Sequence, residues 1–238
     1  MPTIPDSAAK FDLARTGEYA QQSRIALAGY DACHELAACM LASNVAAGEH
    51  PARILVAGAG GTAQEILTTA PLEPAWTFTA VDPSAPMLDL ARASLAAAGL
   101  TARATLIHGD VDALPATPGF DGATLIGVLH HVPGDTAKAA LLAALACRLK
   151  PGAPLVLAGN YRRYADHPPL LDAWRQRWRM HGASADEIER KLAKILEGAD
   201  PPESEEAVQA WLRAAGFDAP LRFFGSLFWG AWIAKRTV

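Results

Sequence analysis

The apolar run Ile54-Leu55-Val56-Ala57 ends in Gly58-Ala59-Gly60-Gly61-Thr62. Glycines let the backbone turn with positive φ and approach a ligand with no Cβ in the way. Ala63-Gln64-Glu65-Ile66-Leu67 resumes at helical spacing, so the turn feeds a helix N-terminus, where an adenosine-type cofactor can sit. Asp82 closes a second apolar run about twenty residues further on, and an acceptor-only carboxylate suits the two hydroxyls of a ribose. Asp110 closes a third run. His130 and His131 follow a fourth, at a point where an imidazole could move a proton.

Strands alternating with helices must position these residues. After Thr77-Phe78-Thr79-Ala80-Val81 come Thr105 to His108, Gly122 to Val128 and Pro154 to Ala158, with a helix from about Thr136 to Leu149 before the last. This alternation implies right-handed βαβ units and a parallel sheet. A helical prologue is expected from about Phe11 to Ser43, its inner face marked by Leu27, Tyr30, Cys33, Leu36, Ala37 and Met40. From about residue 161 to 216 the strands lapse. Ser184-Ala185-Asp186-Glu187 is a capping box opening a helix to about Glu197, and Ser204 caps another that ends by Gly216. The aromatic stretch Arg222 to Ala234, interrupted by Gly225 and Gly230, is a closing hairpin. The expected fold is α/β, doubly wound and Rossmann-like, with a mostly parallel seven-stranded sheet. An N-terminal helical segment (1–48) precedes the main domain (49–238), and a helical lid (about 161–216) is inserted after the fifth strand.

The chain has 238 residues, 51% hydrophobic and 19% charged, which describes a globular domain with a substantial core. A net charge of −4 gives no electrostatic ground for wholesale binding to nucleic acid or an anionic membrane. No apolar run reaches the length of a membrane span, and Met1-Pro2-Thr3-Ile4-Pro5 does not resemble a signal peptide. Cys33, Cys39 and Cys147 lie among Ala and Leu on helical stretches and are expected to be buried, reduced thiols, which suits the cytoplasm.

Gly58-x-Gly60-x-x-Ala63 alone also fits a dinucleotide fingerprint, so an NAD(P)-dependent oxidoreductase competes. That reading wants a hydride-transfer set such as Tyr-x-x-x-Lys, and no Tyr has Lys at that distance. The residues beyond Asp82 separate the two. Beside the glycine loop stand Val81-Asp82-Pro83-Ser84-Ala85-Pro86-Met87-Leu88, Gly109-Asp110-Val111-Asp112-Ala113-Leu114-Pro115, Phe120-Asp121-Gly122-Ala123, Val128-Leu129-His130-His131 and Leu149-Lys150-Pro151-Gly152. In this order they resemble the class I S-adenosylmethionine (SAM)-dependent methyltransferases, over about Tyr19 to the C-terminus. Gly29-Tyr30-Asp31 and Ala215-Gly216-Phe217 to Trp232 are most similar to the branch that includes the carboxy-SAM synthase of tRNA wobble-uridine modification.

The resemblance implies SAM as cofactor and a small-molecule methyl acceptor. It implies that Asp82 and the adjoining Pro83 face the ribose, and that Asp110 and the Val111 N–H face the adenine. Met87 would pack on the adenine, Gly58, Ala59 and Gly60 would pass beneath the methionine part, Tyr30 would cap it, and Ile126 would offer backbone only. The chain departs from the family at Val56, where an acidic residue usually precedes the glycines, so the methionine ammonium loses a usual partner. Leu192 falls where the carboxy-SAM synthase has the arginine that holds its extra carboxylate, which favours plain SAM. A SAM-binding or SAM-modifying protein without transferase activity stays open, because binding alone makes most of the same demands.

His130 and His131 are the candidate catalytic residues; the alternative is local packing of one and solvation of the other. No metal site is expected, since His130, His131 and Asp135 lack the spacing of metal ligands. Tyr19 and Arg24 either face the acceptor or lie on an exposed helix face, and Tyr161 is expected over the pocket. Trp174 and Trp178 are spaced for a buried helical stripe, with Arg175, Arg177 and Arg179 turned to water. Nucleic acid is thereby disfavoured as a substrate. Phe223, Phe224, Phe228, Trp229 and Trp232 supply core, a roof for a partly apolar acceptor, or a homodimer contact.

Overall fold

The computed structural model describes residues 16–237, with side chains from Gln21 onward. Five parallel strands form its centre: β1 (Arg53–Ala57), β2 (Thr77–Asp82), β3 (Ala104–His108), β4 (Gly122–Ile126) and β5 (Pro154–Asn160). An antiparallel hairpin, β6 (Leu221–Ser226) and β7 (Trp229–Lys235), completes a seven-stranded sheet of order β3-β2-β1-β4-β5-β7-β6. This is the doubly wound sheet that the alternation predicts. From β1 the chain winds outward through β2 and β3, then returns to β4 on the other side of β1. The loops leaving β1 and β4 therefore run to opposite faces, and a crevice opens at the carboxyl ends of these two strands.

Both faces of the sheet are covered, which is why its central strands read as unbroken apolar runs. Leu55 and Ala57 point to a core shared with Leu142 and Leu145 of α5 (Asp135–Arg148) and Val208 and Leu212 of α8 (Glu205–Ala214). Ile54 and Val56, one residue out of phase, point to the other core. That one is filled from α2 (Tyr30–Asn44), α3 (Gln64–Leu72) and α4 (Ala85–Ala97). Each such buried aliphatic side chain contributes about 1.5–3 kcal/mol. A third, smaller cluster lies over the carboxyl edge. It joins Ile25 of α1 (Thr16–Ala26), Trp174 and Trp178 of α6 (Pro168–Met180), and Ile188 and Leu192 of α7 (Ala185–Gly198) to Phe228 in the hairpin turn.

Several expectations change. The expected start of the prologue at Phe11 lies outside the described residues; from Thr16 onward it is two helices, because Gly29 takes φ 83° and starts a new one. The inner stripe of α2 is consequently Cys33, His34, Ala37, Ala38 and Leu41, and Leu36 is exposed. Cys33 is buried, but Cys39 and Cys147 lie on outward helix faces, and all are free thiols. β4 stops at Ile126, since Gly127 has φ 76°. Ser184 forms the expected capping box, and the Ser204 hydroxyl accepts from the Ala207 N–H. α8 packs beside α5 under the sheet, so α6 and α7 alone form the cover. Arg177 does not face water: it donates to the Ile25 and Arg24 carbonyls at 2.7 and 2.8 Å and closes the C-terminal end of α1. The Trp174 indole N–H adds a bond to the Ala26 carbonyl at 2.8 Å.

Candidate active site

The glycine turn leaves β1 and passes beneath β2. The Gly58 N–H donates to the Val81 carbonyl at 2.8 Å and the Ala59 N–H to the same oxygen at 3.2 Å. Ala59 is fully buried in the core and borders neither of the two chambers of the site. At Gly60 a side chain has no room: a Cβ would come 2.5 Å from Asp82 Oδ2 and 2.6 Å from Met87 Cβ. That space is taken by the Asp82 carboxylate, which accepts the Gly60 N–H on Oδ2 and the Ser84 N–H on Oδ1, each at 2.8 Å. Burial raises the Asp82 pKa, against the pull of the two N–H groups. Each oxygen keeps a second lone pair, so a ribose diol can still be received.

Asp82, Pro83, Met87, Asp110 and Val111 border one chamber of about 420 Å³ beyond the ends of β1, β2 and β4. Asp110 caps the short turn Val111–Ala113 by accepting the Asp112 N–H at 3.0 Å. Met87 adds an apolar side chain to the lining that these carboxylates share. An acceptor-only diol site, an apolar face and a second carboxylate suit an adenosine.

A second chamber, of about 690 Å³, lies under the cover, bordered by Tyr30, His34, Glu65, Asn160, Tyr164 and Trp229 among others. The two meet at Gly58, Gly60, Ile126, Gly127 and His131, which border both. Tyr30 closes the glycine side, its hydroxyl 3.5 Å from Thr62 Oγ1 and its ring centroid 4.3 Å from that of His34.

His130 also borders the second chamber, at its floor. Its ring is buried, tilted against His131 at 4.3 Å and edge-on to Trp229 at 5.5 Å between centroids. Burial, then the nearby His131 and Lys138, press its pKa well below 6.5, so the imidazole is neutral. Nδ1 receives the Asn160 N–H at 3.4 Å, which puts the ring proton on Nε2. The turn is tied to the cover: the His130 carbonyl accepts the Asp200 N–H at 2.8 Å. Asp200 in turn accepts from the fully buried Lys138 at 2.6 Å and the Gly134 N–H at 2.7 Å. Burial opposes ionisation of Asp200, but these donors hold its carboxyl below the usual range.

Two expected acceptor residues are placed elsewhere. Tyr161 lies in the core under the sheet, edge-on to Trp232 at 5.2 Å, between the Arg162 and Arg222 guanidinium groups. Strand alternation explains this: Ala158 and Asn160 face the chamber side, so Tyr161 faces away. Arg24 pairs with Asp31 at 2.8 Å and lies over the Tyr30 ring at 4.8 Å; it braces Tyr30 from outside. Tyr19 is on α1, and its side chain lies outside the described residues. Asn160, Tyr164, His34 and Glu65, which the motifs do not single out, take the expected places. Asn160 was within reach of the same period-two rule that displaces Tyr161.

Residues 55–152 match the family model described as a methyltransferase domain. No curated protein matches the chain. Among solved structures, an O-methyltransferase family 2 protein from Planctomyces limnophilus, in complex with apigenin, superposes with a TM-score of 0.69 at 16% identity, over 99% of this chain and 63% of that one. The N,N-8-amino-8-demethyl-D-riboflavin dimethyltransferase of Streptomyces davawensis gives 0.58 at 20%, over 94% and 61%. An O-methyltransferase family protein from Burkholderia thailandensis gives 0.58 at 19%, over 94% and 68%. The chain thus spans less than two thirds of the first of these. The fold is that of the class I SAM-dependent methyltransferases.

Proposed function

We propose that the protein transfers a methyl group from SAM to a small-molecule acceptor. The joined chambers carry this reading: an adenosine-shaped site opens, past two glycines and His131, into a covered aromatic site large enough for an organic acceptor. When bound, SAM supplies an already activated methyl group, so the task left to the chain is alignment and exclusion of water.

Gly58 and Gly60 border both chambers, and their missing Cβ atoms let Val128, Asp82 and Met87 close up against the turn. Asp82 anchors the ribose and so sets how far the cofactor reaches into the passage. His131 borders both chambers and is the residue positioned to take a proton from an acceptor O–H or N–H as the new bond forms. His130, neutral with its proton on Nε2, presents a donor that orients the acceptor atom. Tyr164, Trp229 and the cover exclude water from the passage.

The finer likeness to carboxy-SAM synthase draws support from sequence motifs alone. Leu192, in the place of that enzyme's arginine, is 1% exposed in the apolar cluster of the cover, which supports plain SAM. A nucleic-acid acceptor is disfavoured because Arg175 pairs with Asp172 and Glu189, and Arg177 is spent on backbone carbonyls. No helix among the described residues is long and apolar enough to cross a membrane.

Calorimetric titration with SAM, S-adenosylhomocysteine, NADH and NADPH tests the reading. Saturable binding of the two adenosyl sulfur compounds alone is expected. Binding of a nicotinamide nucleotide instead would overturn it.

A further inference from the structure

Glu65 stands in the first turn of α3 and borders the second chamber close to the glycine loop, beside Thr62 and Gln64. It makes no ion pair among the described residues. Burial raises its pKa, the negative Asp82 adds to this, and His34 opposes it. The groups facing it are His34 and Cys33 from α2 and Asp82 from β2. A half-buried carboxylate with no ion pair among the described residues is costly to keep, and a cationic ligand group would offset that cost. Val56 provides no charge from the strand below, being 1% exposed in the core. Among the described residues, the only other carboxylate bordering the chamber is Glu197, on α7 in the cover.

The amino-acid part of SAM carries one cation besides its sulfonium, a primary ammonium. With adenosine in the first chamber, that part would lie past Gly58 and Gly60, in the second chamber that Glu65, Tyr30 and Thr62 border. We propose that Glu65 receives this ammonium group and is the specificity residue for the amino-acid end of the cofactor, an assignment that rests on the SAM reading above. The neutral floor around His130 offers no alternative anion. Tyr30 and His34, their tilted rings 4.3 Å apart between centroids, border the same chamber as Glu65 and would help enclose the ammonium.

The test compares S-adenosylhomocysteine with 5′-methylthioadenosine, which has the same nucleoside and no amino-acid part. Affinities of the wild type, Glu65→Gln and Asp82→Ala are measured by calorimetry. Glu65→Gln should weaken S-adenosylhomocysteine about tenfold or more, the effect of losing one hydrogen bond to a charged group, and leave methylthioadenosine unchanged. Asp82→Ala should weaken both, since both carry the ribose. Glu65→Gln that binds both ligands like the wild type, or loses both alike, would overturn the assignment. If the wild type binds neither compound, the cofactor reading fails first and takes this one with it. The amide is isosteric and removes a desolvated charge, so the variant is expected to fold at least as stably as the parent, which a thermal melt checks.

Discussion

His130 is held neutral by its surroundings, and that has a consequence for stability. In the unfolded chain an imidazole takes a proton below about pH 6.5, whereas buried His130, its pKa pressed far lower, does not. Below pH 6.5 the unfolded state therefore binds more protons than the folded one, and stability falls with pH by up to about 1.4 kcal/mol per pH unit for this group. Above pH 6.5 neither state is charged there and the contribution is flat. His130→Asn keeps a small polar group and cannot titrate. The urea midpoint of this variant should drop less than that of the wild type between about pH 7.5 and 5.5; equal drops would mean that His130 is not sequestered. At this scale much of the site is legible in the sequence. Asp82 ends β2 and Asp110 follows β3 by two residues, and the carboxyl ends of parallel strands are where the crevice of a doubly wound sheet opens. Tyr161 is not legible in the same way, because a single step in strand phase carries it from the chamber to the opposite core. Glu65 was hidden for a related reason. A helix start says that a residue belongs to the first turn, but which side of that turn meets a cavity depends on where α2 lies.

Among the elements, the loop after β4 and the end of α7 are joined by one charged contact. Lys138 on α5 is fully buried and has Asp200 as its carboxylate partner, while the Asp200 backbone N–H reaches the His130 carbonyl. One aspartate thus sets the position of the cover relative to the histidine turn. Asp200→Asn leaves a buried ammonium without a counter-charge and should cost about 1.5–3 kcal/mol in urea unfolding. Lys138→Met in the same chain should recover most of that loss, since the pair is then replaced by apolar packing of similar volume. An undiminished midpoint in the single variant would show that the contact does not stabilise the fold. Neither residue could be matched with the other in the sequence, where 62 positions separate them. The capping boundaries were readable because Ser184 and Ser204 act on their own helices within three residues. The docking of α6 on α1 was not, because Arg177 and Ile25 are 152 positions apart.

For the whole molecule, three separate apolar clusters mean that the cover is not fastened as the sheet is. β4 and β5 lie between two large cores, while α1, α6 and α7 share only the small cluster around Trp174, Trp178 and Phe228. Elements that bury little apolar surface in common with the rest open at lower free energy, and they open together. If the chamber beneath this cover receives the acceptor, as proposed, an acceptor must enter and a product leave there, and such an opening would serve turnover. Native-state hydrogen exchange should therefore give the inner amides of α6 and α7 one shared opening free energy, below that of β4 and β5. Phe228→Ala removes the side chain by which the hairpin turn holds the cluster. It should lower protection in α6 and α7 by about 3 kcal/mol, the usual cost of emptying a buried phenylalanine site. Protection in β4 should change much less, because its own Leu125 and the neighbouring Leu55 and Leu157 lie in a different core. If α6 and β4 lose protection equally, cover and sheet unfold as one unit, and passage to the chamber must come from side-chain motion at its mouth.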